Sequence, residues 1–216
     1  FAQGETVVVE PGPARDHTER MLRAMGADVM TSDATITLRP GRTLTPIDFT
    51  VPGDLSSAAF LIVAALLVPG SEIRLTNISV NPTRTGILDV LREMGARIEI
   101  EETGLQAGDP VGTIHVQHSA LRGIEVGGDV VVRMIDEFPI FMVAALAAEG
   151  VTTVRGAGEL RVKETDRLAV MTAELTRLGA VIEEYADGFT LTGGQQLRGG
   201  AVDGHDYHRI SMSLVV

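Results

Sequence analysis

Apolar residues along the chain follow two alternating patterns. In MLRAMGADV (21–29), VLREMGARI (90–98) and LTRLGAVI (175–182) they fall at helical spacing, meet a Gly and give way to β-branched residues. Each predicts the end of an amphipathic helix, a Gly in the left-handed C-cap conformation, then a strand. FLIVAALLVPGSEIRL (60–75) and FMVAALAAEGVTTVRG (141–156) are apolar on every face and predict Ala-rich buried helices, each with a Gly stop and a strand after it. FAQGETVVVE (1–10) reads as the tail of the same element, and TITLRP (35–40) and FTLTG (189–193) as further strands. The unit is buried helix, strand, loop, amphipathic helix, strand, which makes the chain α/β with repeated internal units. Its two ends cut across that unit. Residue 1 enters at the close of one buried helix and ISMSLVV (210–216) stops as the next begins, so the pattern implies a piece of a longer protein, incomplete at both ends. In TVPGDLSSAAF (50–60), Pro52, Gly53 and Asp54 lead into a buried helix that Ser56 or Ser57 could cap. That junction is either a domain boundary or an ordinary strand-to-helix turn.

An amphipathic helix is expected to begin near Thr165, with Leu168, Met171, Leu175 and Leu178 on one face. Lys163 and Arg167 then stand at its N-terminal end, where unpaired N–H groups already disfavour cations. Arg15 and Arg84 precede two other predicted helices, and His208 and Arg209 open the last one. Four helix starts therefore carry the disfavoured charge. Either they converge on a bound anion, or each is neutralised by an acidic neighbour such as Asp16, Glu164 or Asp166. Asp136, ahead of an apolar run, fits an N-cap with Pro139 in the first turn and equally a general base on a pocket wall. Glu164 fits a surface partner of Lys163, or a proton donor that the lysine tunes.

Composition narrows the chemistry. The 216 residues are 44% hydrophobic and 22% charged, enough for a buried core. A net charge of −11, 4% aromatic residues and no Trp argue against a nucleic-acid partner. The absence of Cys removes disulfides, thiolate nucleophiles and Cys-ligated zinc, and the five His show no metal-ligand spacing, so no metal or cofactor is expected. The apolar stretches are too short to span a membrane and no signal peptide is evident, which fits the cytoplasm.

GELRVKETDRL, IDEFPIFMVAAL, VPGDLSSAAF, NPTRTGILDVLREMGA and HRISMSL together resemble the 5-enolpyruvylshikimate-3-phosphate synthases, the carboxyvinyl transferases of the shikimate pathway of aromatic amino-acid biosynthesis and the targets of glyphosate. The resemblance covers essentially the whole chain but only the middle and later part of that enzyme. It implies the enolpyruvyl transferase fold, an inside-out α/β barrel of repeated helix-and-strand units. Residues 1–50 would be the last unit of the first domain and residues 51–216 most of the second. It also implies phosphoenolpyruvate and shikimate 3-phosphate as small-molecule substrates. In the implied roles Asp136 accepts the proton of the attacking hydroxyl, Lys163 lies over that hydroxyl and the phosphates, and Glu164 protonates the methylene of phosphoenolpyruvate. Arg167 and Arg209 grip its carboxylate and phosphate with His208 beside them, while Ala14, Arg15 and His17 fall in a substrate-binding segment. Two positions depart from the family pattern: Ala14 replaces a Ser that helps hold the shikimate phosphate, and Tyr207 replaces an Asp. Either the site is diverged there or Asp206 takes over the second role. The family's remaining basic groups fall mainly before residue 1, so the isolated chain is expected to be inactive without a complementary N-terminal segment. The alternatives are an enzyme like the UDP-N-acetylglucosamine enolpyruvyl transferases, against which RVKETDR speaks, and a non-catalytic fragment that binds phosphorylated metabolites.

Overall fold

All three helix–glycine–strand patterns are present in the computed structural model, which describes residues 2–216. Helix α1 (His17–Ala24) leads into strand β2 (Asp28–Ser32), α3 (Gly86–Glu93) into β5 (Arg97–Gln106), and α6 (Arg167–Arg177) into β9 (Ile182–Tyr185). Gly26, Gly95 and Gly179 stop these helices at φ of 90°, 101° and 102°, the left-handed conformation that a side chain disfavours. The helix tail expected at Phe1 lies outside the described residues.

The strands form separate sheets. Strand β1 (Thr6–Val9) joins β2 and β3 (Thr35–Arg39) in an antiparallel sheet of order β1-β3-β2. Strand β4 (Glu72–Ser79) and β6 (Asp109–Gln117) join β5 in the order β4-β6-β5, also antiparallel. The third sheet runs β7-β8-β10-β9, with β7 (Glu125–Val126) parallel to β8 (Val151–Val154) and β10 (Gly188–Thr192) antiparallel to both its neighbours.

Helices α2 (Leu55–Leu67) and α5 (Phe138–Ala147) are the two apolar helices, and both are buried between the second and third sheets and the remaining helices. Having no polar face, they are stable only inside. Phe138 and Phe141 meet edge-to-face at 6.0 Å within this core. Neither serine caps α2 with its side chain. Asp54 does, accepting from the backbone N–H groups of Ser56 and Ser57 at 3.2 Å each. One carboxylate satisfies two free amides, which leaves the Ser56 hydroxyl to turn inward.

Two short elements were not evident from spacing: α4 (Asp129–Arg133) and a 3₁₀ turn (Gly158–Val162). The helix expected near Thr165 starts at Arg167 instead, because Asp166 caps it by accepting from Ala169 N–H at 2.9 Å. Helix α7 (His208–Val215) packs on α5 and α6. Gly86 lets α3 start directly against α4: a Cβ there would lie 2.9 Å from the Arg133 backbone. The loop before α1, the loop before α3, the α4–α5 junction and the start of α6 thereby line one cavity.

Candidate active site

The cavity holds about 630 Å³, within the range of small-molecule sites. Asp136 lies in its wall between α4 and α5, and guanidiniums from three distant segments meet on its carboxylate. Arg15, from the loop before α1, donates to Oδ2 at 2.6 Å; Arg167, the first residue of α6, donates to Oδ1 at 3.0 Å. Arg209, in the first turn of α7, stands 3.7 Å from Oδ2. Burial alone would raise the pKa of Asp136, but the Arg15 hydrogen bond, the Arg209 and Arg15 charges and the Arg167 bond outweigh it and hold it at about 2.

Arg167 is 2% exposed. Besides Asp136 it binds the Ile135 carbonyl at 3.0 Å and Glu164 Oε2 at 2.7 Å. Burial pulls its pKa down, yet the bonds to Glu164 and Asp136 raise it on balance, so its charge is secure. Glu164 points outward, its side chain 63% exposed, with a carboxyl held below its ordinary range by its own backbone N–H and by Arg167. Lys163 lines the same cavity and pairs with Glu159, which precedes it by four residues. Neutralisation by acidic neighbours is what the structure shows, and three of the cations, Arg15, Arg167 and Arg209, share one such neighbour, Asp136.

Arg84 is the exception among the four helix starts. Its guanidinium binds Asp54 Oδ1 and Ser56 Oγ at 2.8 Å each, at the start of α2, so it does not join the others. The cap of α2 intercepts it. Ser56 in turn donates to Glu137, a carboxylate only 2% exposed whose pKa burial pushes up. Ala14 lines the cavity beside Pro13 and offers no side-chain donor. His17 is bonded to Asp109 at the start of β6 and is not among the lining residues. His208 is exposed, its ring edge-on to Tyr207 at 5.1 Å.

Among the lining residues that were not singled out from sequence are Pro82, Thr83, Glu159 and Arg133. Arg133 binds the Pro82 carbonyl at 2.8 Å and Asp89 at 2.6 Å, locking the loop before α3 onto α4. Its place three residues before Asp136 was the available signal. Among the described residues no group of three or more His, Asp or Glu side chains gathers as a metal ion requires. No helix among them is long and apolar enough to cross a membrane.

The family model for EPSP synthase (3-phosphoshikimate 1-carboxyvinyltransferase) matches residues 1–216. A 3-phosphoshikimate 1-carboxyvinyltransferase of Synechococcus sp. (strain RCC307) is 50% identical over 220 residues, covering 100% of this chain and 50% of the relative. That of Geobacter sulfurreducens is 52% identical over 216 residues, again 100% and 50%. The chain spans about half the length of the curated relatives it matches. Among solved structures, an EPSP synthase from Acinetobacter baumannii superposes with a TM-score of 0.94 at 43% identity, over 99% of this chain and 50% of that one. The enolpyruvyl transferase NikO from Streptomyces tendae superposes at 0.70 with 21% identity, over 98% of this chain and 48% of that one, a likeness of fold alone.

Proposed function

Because the chain belongs to the EPSP synthase family, we propose that it forms part of a site transferring the carboxyvinyl group of phosphoenolpyruvate to the 5-hydroxyl of shikimate 3-phosphate. Residues 1–50 then supply the last unit of one domain and residues 51–216 most of another, with the reaction carried out in the cytoplasm. The observation that carries this reading is the meeting of Arg15, Arg167 and Arg209 on Asp136 beside Lys163 and Glu164. Nothing in local sequence requires guanidiniums from residues 15, 167 and 209 to share one carboxylate. A substrate pair carrying two phosphates and two carboxylates gives the cluster a use, since those anions would be held by the same guanidiniums.

In this reading Glu164, exposed and on the cavity, gives a proton to the methylene carbon of phosphoenolpyruvate only after the substrate has drawn Arg167 away, because that guanidinium otherwise keeps its carboxyl ionised. The 5-hydroxyl oxygen attacks the cationic carbon so formed, and Asp136 takes the hydroxyl proton, giving a tetrahedral intermediate. Inorganic phosphate leaves as a proton returns from the new methyl group, restoring the vinyl double bond in the ether. Arg167, Arg209 and Lys163 stabilise the charge that gathers on the departing phosphate, with His208 alongside. Arg15 and the Ala14 segment hold shikimate 3-phosphate, and His17 fixes that segment to Asp109. Where the family resemblance implies a Ser, Ala14 gives no hydroxyl, at a cost of about 1.5–3 kcal/mol in phosphate binding.

Reconstitution tests the reading. The chain is combined with the portion of the Synechococcus relative that it does not match, and phosphate release is followed with both substrates. Release is expected only from the mixture, only with both substrates present, and not with Glu164→Gln. Calorimetry should also show phosphoenolpyruvate binding to the chain alone, weakened by Arg167→Ala. A mixture that neither binds nor turns over sinks the assignment; ordinary turnover by the chain alone refutes the expectation that it is incomplete.

A further inference from the structure

Tyr207 occupies the N-cap position of α7 without capping the helix through its side chain. Its side chain is drawn inward instead. The residue is 7% exposed, and the Arg167 guanidinium lies over its ring at 5.0 Å. Its phenolic oxygen is shut off from solvent and has no hydrogen-bond partner among the described residues. Unpaired buried hydroxyls are rare in native proteins and point to a missing partner.

The charges around that oxygen indicate what the partner is. Arg167, Arg209, Glu164 and Asp136 all act on it electrostatically. Burial nonetheless raises its pKa above 10, so at neutral pH the phenol keeps its proton and is a donor. A donor beside two guanidiniums matches an anionic oxygen, not a cation or a neutral group. Asp206, the other residue considered for this role, is exposed in a left-handed conformation with φ of 53° and enters no ion pair among those described. It is not placed to substitute.

Resting on the function proposed above, we infer that Tyr207, which packs against Arg167 and is not among the residues lining the cavity, becomes a ligand contact when phosphoenolpyruvate draws Arg167 forward: its hydroxyl then donates to a carboxylate or phosphate oxygen of the substrate while its ring braces Arg167. A tyrosine here adds a donor without adding negative charge, so Arg167 answers to two carboxylates and not three, leaving more of its charge for the substrate.

The chain has two Tyr and no Trp, so in a Tyr185→Phe background all tyrosine absorbance and emission come from Tyr207. Phosphoenolpyruvate is titrated by calorimetry into the unmodified chain, Tyr207→Phe and Arg167→Ala. In the Tyr185→Phe chain the alkaline phenolate titration is recorded with and without phosphoenolpyruvate. Tyr207→Phe should weaken binding roughly 10-fold or more, the worth of a hydrogen bond to a charged group. Bound phosphoenolpyruvate should shift the phenolate titration upward, because the proton is held between phenol and anion. Equal affinity for Tyr207→Phe, or an unmoved titration in a chain that binds, overturns the role of Tyr207 and leaves the active-site reading intact. Absence of binding by the unmodified chain, alone and in the reconstituted mixture, overturns both. Phe keeps the ring, and the titration needs no change at position 207, so a folding defect cannot imitate the expected pair of results.

Discussion

Asp136 presents its oxygens to three guanidiniums, and a carboxyl held near a pKa of about 2 is a weak base at neutral pH. Its proposed role therefore depends on its neighbours being drawn away. If that role holds, substrate phosphate and carboxylate groups would compete for Arg15 and Arg209, and each guanidinium they captured would remove one influence that lowers the Asp136 pKa. The base would then strengthen as the site fills. The same coupling has a consequence for stability. The folded pKa lies below the unfolded value of 3.8, so the stabilisation is fully present above about pH 4 and is lost as pH falls toward 2. A shift of that size is worth about 2 kcal/mol. Asp136→Asn should be less stable than the parent by at least about 2 kcal/mol in urea melts at pH 6. The difference should narrow as the melts are repeated down to pH 3. A difference that stays constant over that range would show that the ion cluster does not contribute.

Among the elements, the starts of α2 and α5 and the loop before α3 are fastened by one chain of contacts that runs from the surface at Asp54 through Arg84 and Ser56 to the buried Glu137. Glu137 sits at the N-cap of α5, next to Asp136, so this chain fixes the backbone that carries the proposed base. Its folded pKa is raised by burial. The stability of its protonated form is thus present below the unfolded value of 4.5 and is lost as pH rises through the folded value. Glu137→Gln keeps the acceptor for Ser56 without the buried charge, and should match the parent near pH 4 and exceed it increasingly toward pH 8. Ser56→Ala leaves the carboxylate without its donor and should cost about 1–3 kcal/mol at pH 7. Thermal melts of both variants across pH check the pair. This layer was hidden from sequence for a physical reason. Spacing exposes periodic burial, so α2, α5 and the three helix–glycine–strand units were legible, whereas the gathering of Arg15, Arg167 and Arg209 was only one of two readings that it left open. Spacing cannot say which carboxylate reaches a cation first, so Arg84 was grouped with the site when Asp54, thirty residues earlier, intercepts it. Arg133 was missed for the same reason, its partners lying in the loop before α3 and on α3 itself.

Across the whole molecule, buried apolar side chains are distributed unevenly. The described core cluster begins at Leu55, while the β1-β3-β2 sheet with α1 contributes only Val29 as a buried hydrophobic residue. That first unit meets the rest largely through polar contacts: Asp16 with Asn81 at 2.7 Å, Arg20 with the Gly108 carbonyl at 3.3 Å, His17 with Asp109, and Arg15 with Asp136. Partly exposed polar contacts are individually weak, so the unit should open at far lower cost than the core. Hydrogen exchange should find amides of residues 6–39 exchanging on the order of 100-fold faster than those of α2 and α5. Arg15 belongs to this loosely held unit, whereas Arg167 and Arg209 belong to the core. A ligand spanning all three must tie the unit down. Adding shikimate 3-phosphate and phosphoenolpyruvate together should therefore slow exchange in residues 6–39 and leave α2 and α5 unchanged. Uniform protection across the chain would contradict the proposed division near residue 50, and protection by ligand confined to α6 and α7 would remove Arg15 from the site.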